Sequence, residues 1–140
     1  MKRIAFIDLG SNSVRFVIYE ISKTGSYRLI YQEKESVRLS ENMWGTHELT
    51  NEAMERSLRA LKGFVHMADA MEVDTIKAVA TAAVRLAKNG DAFIKAVKER
   101  TGLDLECIAG EEEARLGFLG VINTISLKDF IIFDLGGAST

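Results

Sequence analysis

An aspartate followed by glycine and small hydroxyl side chains stands twice in this sequence, each time at the end of an apolar run. The first copy reads Ile4-Ala5-Phe6-Ile7-Asp8-Leu9-Gly10-Ser11-Asn12-Ser13; the second reads Phe130-Ile131-Ile132-Phe133-Asp134-Leu135-Gly136-Gly137-Ala138-Ser139-Thr140. Glycine suits a turn in which the backbone takes positive φ or closely approaches a ligand. Backbone amides fanned around such a turn form a concavity that favours anions. A carboxylate beside that concavity would repel an anion unless a hard cation such as Mg²⁺ lay between them, with waters completing its octahedron. Two such turns facing each other would grip a phosphate chain from both sides. The plainer alternative is a pair of hairpin turns whose Asp and Ser satisfy their own backbones. The repetition of the same residues at the same strand end favours the ligand site.

Two further charged groups could share that chemistry. Glu111-Glu112-Glu113 opens an apolar-periodic stretch. Acidic residues in a first helical turn complement the helix dipole, and that accounts for two of the three. One glutamate aimed into a cleft would deprotonate a water attacking phosphorus, a service worth roughly 100- to 10,000-fold in rate. Arg85 is either a solvated helix arginine or a bidentate clamp on phosphate. Cys107, on an apolar strand, reads as a small buried hydrophobe and not a nucleophile. His47 and His66 are isolated, and no metal-ligand cluster is seen.

These groups need a scaffold. Val14 to Ile21 alternates and is β-branched or aromatic, so it pairs back on the first strand as a hairpin. Ser22-Lys23-Thr24-Gly25 turns into a third strand, Tyr27 to Leu39, which completes an antiparallel meander. Ser40 to Leu49 is a polar loop. At Thr50, an N-cap, the period changes to near four; Met54, Leu58, Leu61, Val65 and Ala68 line one face of a long helix. A strand from Thr75 to Ala80 leads into a helix opened by Thr81-Ala82-Ala83-Val84-Arg85. Asp91 caps a helix from Ala92 to Arg100, Leu103 to Ile108 is a strand, and a helix runs from Glu111 to about Ile125. A last strand spans Phe130 to Leu135. The pattern predicts an α/β fold: a three-stranded antiparallel meander followed by strand-helix units in a mixed sheet. Asp8, Arg85 and Glu113 all fall just beyond strand ends, where open α/β sheets bind ligands.

The bulk properties narrow the setting. The 140 residues are 47% hydrophobic, enough for one domain with a core. A formal charge of −2 and a pI near 5.7 argue against bulk attraction to nucleic acid or a membrane, so a polyanion must be held locally. The lone Cys107 excludes an intramolecular disulfide and fits a reducing compartment. Neither a signal peptide nor a membrane-length apolar run is present, so a cytoplasmic location is expected. The second turn falls at the last residues, and the chain reads as the N-terminal part of something longer.

In this order, Asp8-Leu9-Gly10-Ser11-Asn12-Ser13, Thr81-Ala82-Ala83-Val84-Arg85, Gly110-Glu111-Glu112-Glu113-Ala114-Arg115-Leu116 and Asp134-Leu135-Gly136-Gly137-Ala138-Ser139-Thr140 resemble the exopolyphosphatase / guanosine pentaphosphate phosphohydrolase (Ppx/GppA) family, across essentially the whole chain. The resemblance implies an actin-like ATPase (ribonuclease H-like) fold, with residues 1–126 as the first lobe. Residues 127–140 would be the first strand and phosphate loop of a second lobe. It implies Mg²⁺-dependent release of the terminal phosphate of polyphosphate, or of the 5′-γ-phosphate of guanosine pentaphosphate. Position by position, Glu113 resembles the catalytic base. Ser11, Asn12 and Ser13 match the first phosphate loop, and Gly136, Gly137 and Ser139 the second. Asp134, with Asp8, is associated with the metal, and Arg85 matches an arginine near the scissile phosphate. The second loop of the family usually reads Gly-Gly-Gly-Ser, and Ala138 stands at its third glycine. Val37-Arg38-Leu39-Ser40-Glu41-Asn42 also departs from the more usual Arg-Leu-Gly-Glu-Gly.

Three other functions compete with hydrolysis. A kinase of the same superfamily would need an acceptor site, and Ser11-Asn12-Ser13 fits phosphatases better than the threonine-rich loops of sugar kinases. A non-catalytic nucleotide- or alarmone-binding module would bind phosphate without cleaving it. A purely structural scaffold leaves the repeated turn unexplained. The last strand, deprived of its sheet, is expected to be unstructured, folded onto the first lobe, or paired with another chain as in a homodimer.

Overall fold

The computed structural model describes residues 1–126, 130–134 and 136. Three strands, β1 (Lys2–Leu9), β2 (Ser13–Ile21) and β3 (Tyr27–Ser36), form the expected antiparallel meander. Then come α1 (Asn51–Ala70), β4 (Thr75–Ala80), α2 (Ala82–Leu86), α3 (Gly90–Thr101), β5 (Leu105–Cys107) and α4 (Gly110–Ile122). The sheet order is β3-β2-β1-β4-β5, with β4 parallel to β1 and β5 parallel to β4. The carboxyl ends of β1, β4 and β5 therefore share one edge, and the strand-to-helix junctions sit there.

Alternation in β1 and β2 decides which side is covered. Ala5, Ile7, Leu9, Val14, Phe16 and Ile18 are buried, and Phe16 stacks on Phe64 of α1 with ring centroids 4.9 Å apart. Offset aromatic stacking of this kind adds roughly 0.5–1.5 kcal/mol beyond the burial itself. Helix α1 begins as expected, with the Thr50 hydroxyl accepting from the Ala53 N–H at 3.2 Å. Its buried face runs through Ala53, Ser57, Leu58, Leu61, Phe64 and Ala68, rotated slightly from the expected stripe, so that Met54 and Val65 are only half-buried. Ser57 can occupy the core because its hydroxyl donates to the Ala53 carbonyl at 2.9 Å.

Several boundaries differ from the sequence expectation. β3 stops at Ser36 because the next residues turn to bond the first loop: Val37 and Arg38 N–H donate to the Asn12 carbonyl at 3.0 and 2.8 Å, and Ser40 N–H to the Ser11 carbonyl at 3.0 Å. α3 begins at Gly90, so Asp91 lies in its first turn instead of capping it. The Asn89 side chain does not cap either; it bonds both the N–H and the carbonyl of Leu49, at 2.8 and 2.9 Å. β5 is only three residues long, and α4 ends at Ile122. The strand expected over Phe130 to Leu135 is not formed over Phe130–Asp134, which have no ladder partner among the described residues; Phe130 instead stacks on Phe118 of α4 at 6.0 Å. No helix among the described residues is long and apolar enough to cross a membrane.

Candidate functional site

The β1–β2 turn is tight for a reason of space. Gly10 N–H donates to the Ser13 carbonyl at 3.0 Å, and a Cβ on Gly10 would lie 3.1 Å from that same oxygen. Glycine leaves that approach free, where an alanine would press the oxygen back by a few tenths of an ångström. The Ser11 and Asn12 carbonyls are taken by the 37–40 segment, which Arg56 of α1 fastens from behind. Its Nε donates to the Val37 carbonyl at 3.0 Å and its Nη2 to Glu41 at 2.6 Å. With their carbonyls tied down on one side, the Ser11 and Asn12 N–H groups have no protein acceptor among the described residues. Such unpaired amides are what an anion requires.

These groups open onto a cleft of about 450 Å³ lined by Asp8, Gly10 to Ser13, Arg15, Lys34, Thr81, Ala82, Glu113, Asp134 and Gly136. Both aspartates of the repeated turn therefore face one space, as do the first loop and the third glutamate of the run. Asp8 is exposed, and the surrounding protein only partly desolvates its carboxyl. That partial desolvation, with Glu113 and Asp134 adding like charge, raises its pKa above 3.8 despite the lowering effect of Arg15. Among the described residues no group of three His, Cys, Asp or Glu is placed to hold a metal ion. Besides Glu113, the carboxylates Asp8 and Asp134 line the cleft, and one or two carboxylates plus waters and substrate oxygens are the usual donor set of Mg²⁺. The residues present fit that ion.

The three glutamates divide as the helix-turn reasoning requires. Glu112 is held by Arg115, one helical turn on, with both contacts at 2.7 Å, and Glu111 is exposed. Glu113 alone lines the cleft. Arg85 lies behind it: Nη1 donates to the Ile108 carbonyl at 2.8 Å and to Glu113 Oε2 at 3.2 Å. Arg85 is thus joined to the catalytic candidate and is absent from the cleft lining. The Cys107 thiol is pushed up, chiefly by burial and against the influence of Arg85, which fits an unreactive side chain. Gly137, Ala138 and Ser139 lie outside the described residues.

Three charged or hydroxyl-bearing lining residues are additions to the sequence reading: Arg15, Lys34 and Thr81. Arg15 stands directly across from Asp8 in the β1–β2 ladder and from Lys34 in the β2–β3 ladder. The signal was the period-two alternation, which puts Ser13 and Arg15 on one face. Thr81 was inside a motif already noted, immediately before Ala82.

Comparison with known proteins converges on one group. The model of the Ppx/GppA phosphatase family matches residues 17–140. A guanosine-5′-triphosphate,3′-diphosphate pyrophosphatase of Pseudoalteromonas atlantica is 40% identical over 137 residues, covering 97% of this chain and 27% of that protein. The crystal structure of the Aquifex aeolicus member of the Ppx/GppA family aligns with a TM-score of 0.81 at 37% identity, over 86% of this chain and 39% of that one. An exopolyphosphatase from Cytophaga hutchinsonii aligns with a TM-score of 0.87 at 33% identity, over 93% of this chain and 41% of that one. The chain thus spans about a quarter of the length of the curated relative and about two fifths of the solved chains. The five-stranded mixed sheet is accordingly that of the actin-like ATPase, ribonuclease H-like, fold.

Proposed function

We infer the function from one premise: the chain belongs to the Ppx/GppA phosphatase family. It serves a phosphoanhydride hydrolase that releases the terminal phosphate of polyphosphate, the 5′-γ-phosphate of guanosine pentaphosphate, or both. The observation that carries this reading is the single cleft on which two unpaired loop amides, two aspartates and Glu113 converge. The amides of Ser11 and Asn12, with the hydroxyls of Ser11 and Ser13, hold oxygens of the terminal phosphoryl group. Gly136, Gly137 and Ser139 are assigned the same task in the second loop. Mg²⁺ held through Asp8 and Asp134 would neutralise phosphate charge.

Glu113 takes a proton from the attacking water. Its Oε2 is engaged by Arg85, and Oε1 has no partner among the described residues. Arg85, expected to touch the phosphate, is better read as the group that orients this carboxylate. Positioning and electrostatics of this kind supply most of the catalysis of phosphoryl transfer, and no covalent phosphoenzyme is needed. A cytoplasmic location accords with such soluble substrates. The 140 residues alone are expected to show little or no activity, because the relatives build their enzymes from chains more than twice as long.

The test is phosphate release from long-chain polyphosphate and from guanosine pentaphosphate with Mg²⁺, by the protein at its natural length. Glu113→Gln should reduce release by about 100-fold or more while phosphate-ligand binding persists. Release from wild type that is undiminished in Glu113→Gln would remove the base from the scheme. Binding without release by wild type would favour the nucleotide-sensing module.

A further inference from the structure

Thr81 is the last residue before α2 and is one of four buried polar or charged residues among those described, with 8% exposure. A threonine in that place ordinarily turns its hydroxyl onto the first-turn N–H groups of the helix. Here it makes no capping bond. The Thr81 hydroxyl has no side-chain hydrogen bond among the described residues, and no polar side-chain atom sealed from solvent is left unsatisfied among them, so the hydroxyl reaches the solvent side. The surface that Thr81 lines is the cleft of Glu113, Asp8 and Ser11.

The backbone of Thr81 is also pinned to the parts of the site that matter most. Its N–H donates to the Leu9 carbonyl at 3.2 Å, at the end of β1, and its carbonyl accepts from Arg85 N–H at 3.0 Å. The preceding carbonyl, of Ala80, accepts from Ile108 N–H at 3.1 Å, and Ile108 is the residue whose carbonyl Arg85 holds while it holds Glu113. Thr81 and Glu113 are therefore set in one short frame, at the same sheet edge as the amides of the first loop, which follow the neighbouring strand β1.

We propose that the Thr81 hydroxyl positions the attacking water, an inference that rests on the hydrolase reading above. The water donates one O–H to Glu113 and the other to Thr81 Oγ1, which leaves a lone pair directed at the terminal phosphorus. As the new P–O bond forms, Glu113 takes the first proton. The bridging P–O bond breaks, and its electron pair leaves with the shortened phosphate chain. Thr81 keeps its own proton throughout. Two hydrogen bonds fix an orientation that one cannot, and water-orienting side chains recur in phosphoryl transfer for that reason.

The experiment compares Thr81→Val and Thr81→Ser with wild type, at natural length, on long-chain polyphosphate with Mg²⁺. Valine keeps the branched shape and removes the hydroxyl. Thr81→Val should lower kcat about 10- to 100-fold with KM nearly unchanged, the loss expected for one hydrogen bond at a charged reacting group. Thr81→Ser should restore most of the rate. Thermal unfolding of each variant separates this from misfolding, and Thr81→Ala repeats the measurement if valine does not fit. An unchanged kcat in Thr81→Val overturns the proposal. So does a rise in KM alone, which would make Thr81 a phosphate contact, or a serine variant as slow as valine. Wild type without any phosphate release would instead overturn the hydrolase reading, and the role of Thr81 with it.

Discussion

Arg85 Nη1 lies 3.2 Å from Glu113 Oε2 and 2.8 Å from the carbonyl oxygen of Ile108, so one guanidinium nitrogen ties α2, the end of β5 and the start of α4 together. Both side chains are about 28–29% exposed, and an ion pair of that kind contributes about 1 kcal/mol or less to stability. Its consequence is orientation. Arg85→Ala should cost little in melting temperature but lower kcat by about 10-fold or more, since Glu113 loses its fixed aim. Arg85→Lys should rescue poorly, because an ammonium does not reproduce the planar guanidinium. Phosphate-release kinetics beside thermal unfolding check both statements.

Asp8 should oppose folding when no cation is present. Its folded-state pKa is raised above 3.8 by partial desolvation, then by Glu113 and Asp134. A group with a raised folded pKa contributes stability at pH below 3.8 that is lost as pH rises through the folded value. Asp8→Asn should therefore melt higher than wild type at pH 7 in chelator. Added Mg²⁺ should raise the melting temperature of wild type more than that of Asp8→Asn. Equal Mg²⁺ responses would argue against a metal at Asp8.

Glu20 has the opposite sign. The hydrogen bond from Arg28, at 2.7 Å, with further help from Arg3, lowers its pKa below 4.5 although desolvation works the other way. Its stabilising contribution is present above pH 4.5 and is lost as pH falls through the lowered folded value. Glu20→Gln should flatten the acid limb of the stability profile between those values. Denaturant titrations at a series of pH values measure it.

Two glycine-to-alanine changes should have opposite effects. A Cβ on Gly90 would stand 2.2 Å from the Val84 carbonyl oxygen, a backbone atom that cannot step aside. Gly90→Ala should destabilise by about 1–3 kcal/mol or more. Gly63, inside α1, has nothing within 4 Å of that position, and Gly63→Ala should stabilise by about 0.5–1 kcal/mol. Urea unfolding of the two variants settles the comparison.

Local pattern carried much of the fold. An apolar run located β1 and period-two alternation β2, Thr50 marked the start of α1, and Thr75 to Ala80 matched β4 to the residue. Those features depend on neighbours in sequence, so they are visible in it. The misplaced boundaries share another cause. Val37 to Ser40 turn away from β3 to bond Asn12 and Ser11, and α3 starts at Gly90, one residue ahead of the expected cap Asp91, after an Asn89 whose side chain holds Leu49, 40 residues away. In each case a distant polar partner outweighed the local preference.

The amino-acid sequence by itself determined the chemistry available: an amide-rich turn with its aspartate, a repeat of it, and a glutamate at a helix start. It also determined the family, because those motifs stand in a diagnostic order. Only the tertiary structure decided which groups meet. It placed Glu113 on the cleft and left Glu111 and Glu112 off it, joined Arg85 to that glutamate, and brought Arg15, Lys34 and Thr81 into the lining. The parallel crossovers from β1 to β4 to β5 account for this. They carry residues some 70 to 105 positions apart to one sheet edge, and separation along the chain holds no record of that distance in space.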